Sequence, residues 1–455
     1  MNARSKRLFS WLLVAAMLLA MLPASAPASA VEETETEAVR YPSGVTSYVA
    51  VCPVCKTNAT WKPYHGENDG DTPLQSVSHL YLEKDETYAS GKSFLVAYSK
   101  ICFNLNGYNL TAEEGAKYAF AAAGEANFID TYGGSVVTGN GTAAGGGAAI
   151  HGNSTSLKYH IYGGTWTKRA DNTGTYVMHL STKGGTINIY DGAVIDAGGD
   201  TAGGTALIRG SLKTDGSAQK ATLNICGGEI KGGKIIVGGA DSVHAGCATV
   251  NLYGGTVTGC NMTVRNGATV HAQGGVYTNP ITAGAGTTVK LSSAPTLTGG
   301  LNLGSGVVAD ITNLHSNAKI AIATTQDSGV FTTGREDYEK LTSVFYTTDG
   351  APVLVDTRNA FCKLSKGMAL LDARGKATLY TDAQAALTAY YAADGFQNAC
   401  WLVAGEALTM TLSGDVYLDA AGNALTVNGS GKLYGMDSGN DTYKTCAAWT
   451  LGEQV

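Results

Sequence analysis

Proline and charge are both scarce: 9 prolines in 455 residues, with only 15% of side chains charged. A chain this poor in both is neither a proline-rich stalk nor a solvated disordered tail. It has no run of basic residues and a formal charge of −6, which argues against a nucleic-acid partner. Its 9 cysteines are too thinly spread for a disulfide scaffold, and the odd number leaves at least one thiol unpaired if the rest pair. The apolar run at residues 8–22 is too short for a lasting membrane span. It follows Arg4, Lys6 and Arg7 and precedes Ala28-Ser29-Ala30, the pattern of a cleavable export signal over residues 1–30. The expectation is an exported soluble chain, with no membrane insertion once the signal is cleaved. Glycine, by contrast, is abundant, with 60 residues.

Many of these glycines fall in a recurring phrase. IDTYGGSV, YHIYGGTW, INIYDGAV, LNICGGEI, VNLYGGTV and VHAQGGVY repeat one pattern between residues 129 and 277. Aligned before the glycine pair, the first column reads Ile129, Tyr159, Ile187, Leu223, Val250, Val270, all apolar. The second reads Asp130, His160, Asn188, Asn224, Asn251, His271, all polar. Apolar and polar positions alternating with period two mark a strand with one buried face. The glycine pair permits a sharp bend at positive φ, and an apolar residue two places on starts the next inward face.

The tightest repeats, from Tyr253 to Gln273 and on to Ser292, are about 20 residues long, one turn of a solenoid. Further strands are expected at 234–237, 261–264 and 301–303, while the Gly/Thr/Ala/Asp-rich stretches 139–147 and 197–204 read as loops outside the stack. Two or three short strands per turn give an all-β parallel β-helix. The divisions are a signal at 1–30, a leader and CxxC segment at 31–76, and the β-helix with its N-terminal cap at 77–316. An exit cap or small β subdomain follows at 317–380, and a short helix near 381–393 opens the last division, 381–455. Within that division VYLDAAGNALT, 416–426, aligns without gaps on ICFNLNGYNLT, 101–111, so the start of a second, truncated β-helix module is expected there.

In the CxxC segment, Cys52 and Cys55 could share one tetrahedral ion that His65 and His79 would complete; a local disulfide is the alternative. The stretch ENDGD at 67–71 lacks the ligand spacing of a calcium loop and reads as a solvated turn. On the solenoid surface, equivalent side chains of successive turns lie about 4.8 Å apart. Asn188, Asn224 and Asn251 could therefore form amide steps along one outer row, broken where loop insertions intervene, and Tyr132, Tyr162, Tyr190 and Tyr253 fall in one row at a bend. These seven residues are the candidate binding face, either as ladders that satisfy one another or as a strip that stacks on sugar rings.

The signal, the CPVC segment with Trp61, LNGYNLT, the GG turns and GSGKLYGMDSGNDTY together resemble the right-handed parallel β-helix proteins of the pectate-lyase-like superfamily. More narrowly, they resemble the secreted or wall-associated, adhesin-like members of Gram-positive bacteria. That resemblance implies a secreted or cell-surface protein that binds an extracellular glycan or surface protein. Its enzymatic members are polysaccharide lyases and glycoside hydrolases. The repeat carries no Asp-Asp, Gly-His-Gly or Asn-x-Asp, and Arg209 and Arg265 have no acidic cluster beside them in sequence. No catalytic residue is assigned, and a carbohydrate-active enzyme is kept as the alternative.

Overall fold

The computed structural model describes residues 40–66, 76, 78–139, 147–169, 176–198, 204–323, 328–435 and 449–451. The expected export signal, the ENDGD turn and most of the loops at 139–147 and 197–204 lie outside the described residues. Residues 41–455 form one compact unit. No helix among the described residues is long and apolar enough to cross a membrane.

The alternation seen in the sequence becomes long parallel sheets. A 13-stranded sheet starts with the antiparallel hairpin Tyr48–Val51 and Asn58–Pro63. It then takes one strand from each repeat, beginning Ser78–Tyr81, Ile101–Asn104, Glu125–Ile129, Lys158–Ile161 and Gly185–Ile189. Every pairing after the hairpin is parallel. A second sheet of 19 strands holds two more parallel runs, one starting at Glu86–Tyr88 and the other at Leu95–Ala97. The expected strands Lys234–Val237 and Asn261–Val264 belong to it, and residues 301–303 end its long strand Thr296–Leu303. Each repeat thus adds three short strands to three runs, a solenoid-like architecture in which every turn rests on the one before.

The inward side chains make one continuous core. At the N-terminal end it is aromatic, with Phe94, Phe103, Phe120, Phe128 and Trp166 in successive edge and tilted contacts. Farther along, Ile187, Ile189, Leu223, Ile225, Val250 and Leu252 take over, all fully buried. At the bends the turns approach so closely that a side chain has no room. Gly255 has φ +74°, and a Cβ there would sit 2.6 Å from the carbonyl oxygen of Gly227 in the preceding turn. Gly275, φ +80°, repeats this against Gly254 at 2.5 Å.

Two columns of the sequence alignment shift. Asn127, not Asp130, pairs with His160, so the first phrase has three extra residues before its bend. Asp130 instead caps that bend, its carboxylate accepting from the backbone N–H groups of Gly107, Gly133 and Gly134 at 2.8 Å each. Ile195, not Val194, stacks inward beneath Trp166, because YDGAVI is one residue longer.

The parallel stack continues past residue 316 to Phe345–Thr347, which pairs with Lys319–Ile322. Beyond it a mixed sheet of 8 strands runs from Ser328–Val330 to Leu433–Gly435, with a second core. The expected helix spans Ala383–Ala392 and buries Ala386, Leu387 and Tyr390. Its N-cap is Asp382, which accepts from Gln384 N at 2.7 Å and so satisfies one otherwise unpaired first-turn donor.

Candidate metal centre

The hairpin that opens the first sheet brings the CxxC turn against the first strands of the stack. Lys56 takes a left-handed conformation, φ 58°, which folds the turn back so that its N–H donates to Cys52 O at 2.8 Å. Cys55 N–H donates to Cys52 Sγ at 3.3 Å, which aims both sulfurs to one side. Sheet register does the rest: Trp61 pairs with His79, and His79 with Cys102. All three are outward positions of adjacent strands. The ligand atoms of Cys52, Cys55, His79 and Cys102 consequently lie within 4.8 Å of one another.

Cys52 and Cys102 are buried, Cys55 and His79 half-buried. Cys55 Sγ and Cys102 Sγ are 3.6 Å apart, and the eight described cysteines are all free thiols. His79 Nε2 and Trp61 Nε1 are buried without a hydrogen-bond partner. The His79 ring is fixed edge-on to the Trp61 indole, centroids 5.0 Å apart. Burial pushes the Cys102 thiol far above its ordinary value and also raises Cys55; burial, then the nearby Lys100 ammonium, lowers His79. Such groups resist ionisation on their own, and a coordinated cation would reverse that for the thiols. The set could hold a structural metal ion.

The structure does not bring His65 into this group. Both of its ring nitrogens face carboxylates, Nδ1 to Glu86 at 2.6 Å and Nε2 to Glu83 at 3.2 Å. Cys102 stands where His65 was expected. It lies 47 residues from Cys55 in sequence, and strand stacking alone brings the two together.

The same outward row continues along the sheet. From Cys102 it passes through Asn127, His160, Asn188, Asn224, Asn251, His271 and Lys290. The three expected asparagines form an unbroken ladder: Asn251 donates to Asn224 Oδ1 at 2.8 Å, and Asn224 to Asn188 Oδ1 at 2.7 Å. Asn188 donates in turn to Tyr159 O at 3.1 Å. Loops between the coils do not interrupt it, because they leave from the bends and not from this strand.

The tyrosine row is less uniform. Tyr162 and Tyr190 stack face to face, centroids 4.5 Å and planes 8° apart, with His160 nearly coplanar beside them. Cys226 then occupies the next turn, so Tyr253, 47% exposed, stands apart from the pair, and Tyr132 is half-buried on the longer first bend.

One further cluster was not visible as such in the sequence. His151 and His179 are adjacent in the third run, centroids 5.4 Å apart, with Tyr118 stacked on His151 at 4.3 Å. Arg209 Nη2 approaches His179 Nε2 at 3.5 Å. Burial lowers His151 to about 4 and His179 to about 3, with Arg209 adding to both. His151 Nε2 and Arg209 Nε have no partner.

No family profile, curated protein or solved structure matches this chain.

Proposed function

We propose that this chain is a secreted or cell-surface right-handed parallel β-helix, adhesin-like and non-catalytic, that binds an extracellular glycan through the outer face of its 13-stranded sheet. Right-handedness follows from the general rule for parallel strands joined by crossovers. Export follows from the signal pattern at residues 1–30, and likeness to the pectate-lyase-like superfamily and to Gram-positive surface proteins from the motifs above. The observation that carries the binding reading is the face-to-face pair Tyr162 and Tyr190, with His160 parallel beside them, next to a continuous polar row. Flat, half-exposed rings with polar groups at their edges suit the apolar faces and hydroxyls of a sugar chain.

A glycan-array screen of the protein tests this. The expected result is saturable binding that falls about fivefold in Tyr190→Ala, as loss of a ring contact worth about 1 kcal/mol implies. A carbohydrate-active enzyme is the second reading, favoured by the His151, His179 and Arg209 cluster, whose imidazoles are held neutral and in which His151 Nε2 and Arg209 Nε lack hydrogen-bond partners. New reducing ends or unsaturated products, abolished in Arg209→Ala, would replace the first reading with the second.

A further inference from the structure

We infer that Cys52, Cys55, His79 and Cys102 form a closed tetrahedral zinc centre that fastens the N-terminal hairpin to the first two turns of the stack. The donor set comes first. Three thiol sulfurs and one imidazole nitrogen are soft and borderline ligands, which select zinc over calcium or magnesium. Four protein ligands leave no open position, the mark of a structural and not a hydrolytic site.

The geometry supports one shared ion over a disulfide. Sulfurs each about 2.3 Å from a tetrahedral zinc lie about 3.8 Å from one another. Cys55 Sγ and Cys102 Sγ are 3.6 Å apart. A disulfide would bring them to about 2.0 Å and use only two of the four groups. It would also leave His79 Nε2 buried without a partner, as it now stands. The N–H donated to Cys52 Sγ by Cys55 is the kind of outer contact that steadies a thiolate carrying extra negative charge. Lys100, paired to Glu125 at 2.9 Å, places a positive charge near the sulfurs.

The site also explains why this cap needs fastening. Cys55 and Cys102 lie 47 residues apart in sequence, and the hairpin segment buries only Cys52, Ala59 and Trp61 in a small satellite core against Tyr81, Cys102 and Ile129 of the stack. Tyr48–Val51 is the sheet's edge strand, with Val49 64% and Val51 58% exposed. An ion bound to the turn, to Ser78–Tyr81 and to Ile101–Asn104 ties three separate segments at one point.

The test is metal analysis of the full chain, reduced, stripped with chelator, incubated with zinc and desalted. About one zinc per chain is expected, retained in His65→Ala. In Cys55→Ser, whose side chain sits on a half-buried turn, and in Cys102→Ala, zinc affinity should fall more than about a hundredfold. Should Cys102→Ala fail to fold, Cys55→Ser and the wild-type stoichiometry still decide. Absence of retained zinc in the wild type, undiminished binding in Cys55→Ser, loss of zinc in His65→Ala, or a Cys55–Cys102 disulfide in the zinc-treated protein would each overturn the assignment.

Discussion

The first turns of the stack and the strands between residues 401 and 435 repeat one backbone pattern and differ in what it displays. Leu80 pairs with Phe103 and Glu86 with Leu110; far along the chain Leu402 pairs with Leu418 and Leu408 with Leu425 in the same relation. The turn between the paired strands is repeated in detail. Asn106 and Gly107 have φ of 55° and 77°, Ala421 and Gly422 of 48° and 79°. Asn104 Oδ1 accepts from Asn106 N at 2.9 Å, and Asp419 Oδ1 from Ala421 N at 2.8 Å. Even the amide that covers the preceding strand's end recurs from a shifted position. Asn106 Nδ2 donates to Leu82 O at 3.0 Å, Asn423 Nδ2 to Ala404 O at 3.1 Å.

The outward row is where they part. His79 and Cys102 face the CxxC turn in the first region. The equivalent places hold Trp401 and Tyr417, followed by Tyr434 in register. Phe396 lies flat on Tyr417 at 4.8 Å. One coil can therefore be finished with metal ligands or with aromatic packing, and the inward pattern does not say which.

The sharpest way to break the comparison is at the turn. Asn106 is fully buried and also bonds both the N–H and the C=O of Tyr41, at 2.8 and 3.1 Å, so it holds the leading segment down. Asn106→Ala should cost about 3 kcal/mol in denaturant unfolding, since buried backbone groups lose their partner. The reverse change, Ala421→Asn, should be neutral or gain a few tenths of a kcal/mol, because asparagine tolerates the left-handed conformation better than alanine.

Acid should separate the regions next. All 8 histidines lie at or before His315, so the strands between residues 401 and 435 have none. His151 and His179 have folded values of about 4 and about 3, below the unfolded value of about 6.5. The unfolded chain takes up protons first, so their contribution is full above about pH 6.5 and is lost as the pH falls toward the folded values. Hydrogen exchange followed down to pH 4.5 should show the central turns loosening before strands 401–429, and His179→Gln should flatten that slope by about one proton.

A smaller effect is expected from the amide ladder. Asn224→Leu removes both of its links and should cost about 1–2 kcal/mol. The smallest loss is expected for Tyr417→Ala, which gives up ring contacts on a half-exposed surface and should cost about 1 kcal/mol. Equal losses at the two places would mean that the outward rows do similar structural work.

Much of this architecture was legible in the residues. Period-two alternation located the strands from Tyr159 onward, and the glycine pairs located the bends, because both obey fixed local geometry. The recurrence of the LNGYNLT pattern near residue 416 was legible for the same reason. Asn127 was missed because three extra residues before the first bend moved it out of the aligned column. Cys102 was missed because ligand spacing was sought along the chain and not across strands. Setting SHLYLE over KICFNLN places His79 on Cys102, and that register was the available signal. The amide row of Asn188, Asn224 and Asn251 was legible but its continuity was not, because the loops leave from the bends; the break in the tyrosine row is written in the sequence as Cys226.

Strand register, not local spacing, brings Cys52, Cys55, His79 and Cys102 together at the N-terminal end. X-ray absorption on the zinc-loaded protein tests it most directly. The expected coordination is three sulfurs at about 2.3 Å and one imidazole nitrogen at about 2.0 Å. A shell of two sulfurs and two imidazoles would return His65 to the site and contradict the assignment built on Cys102.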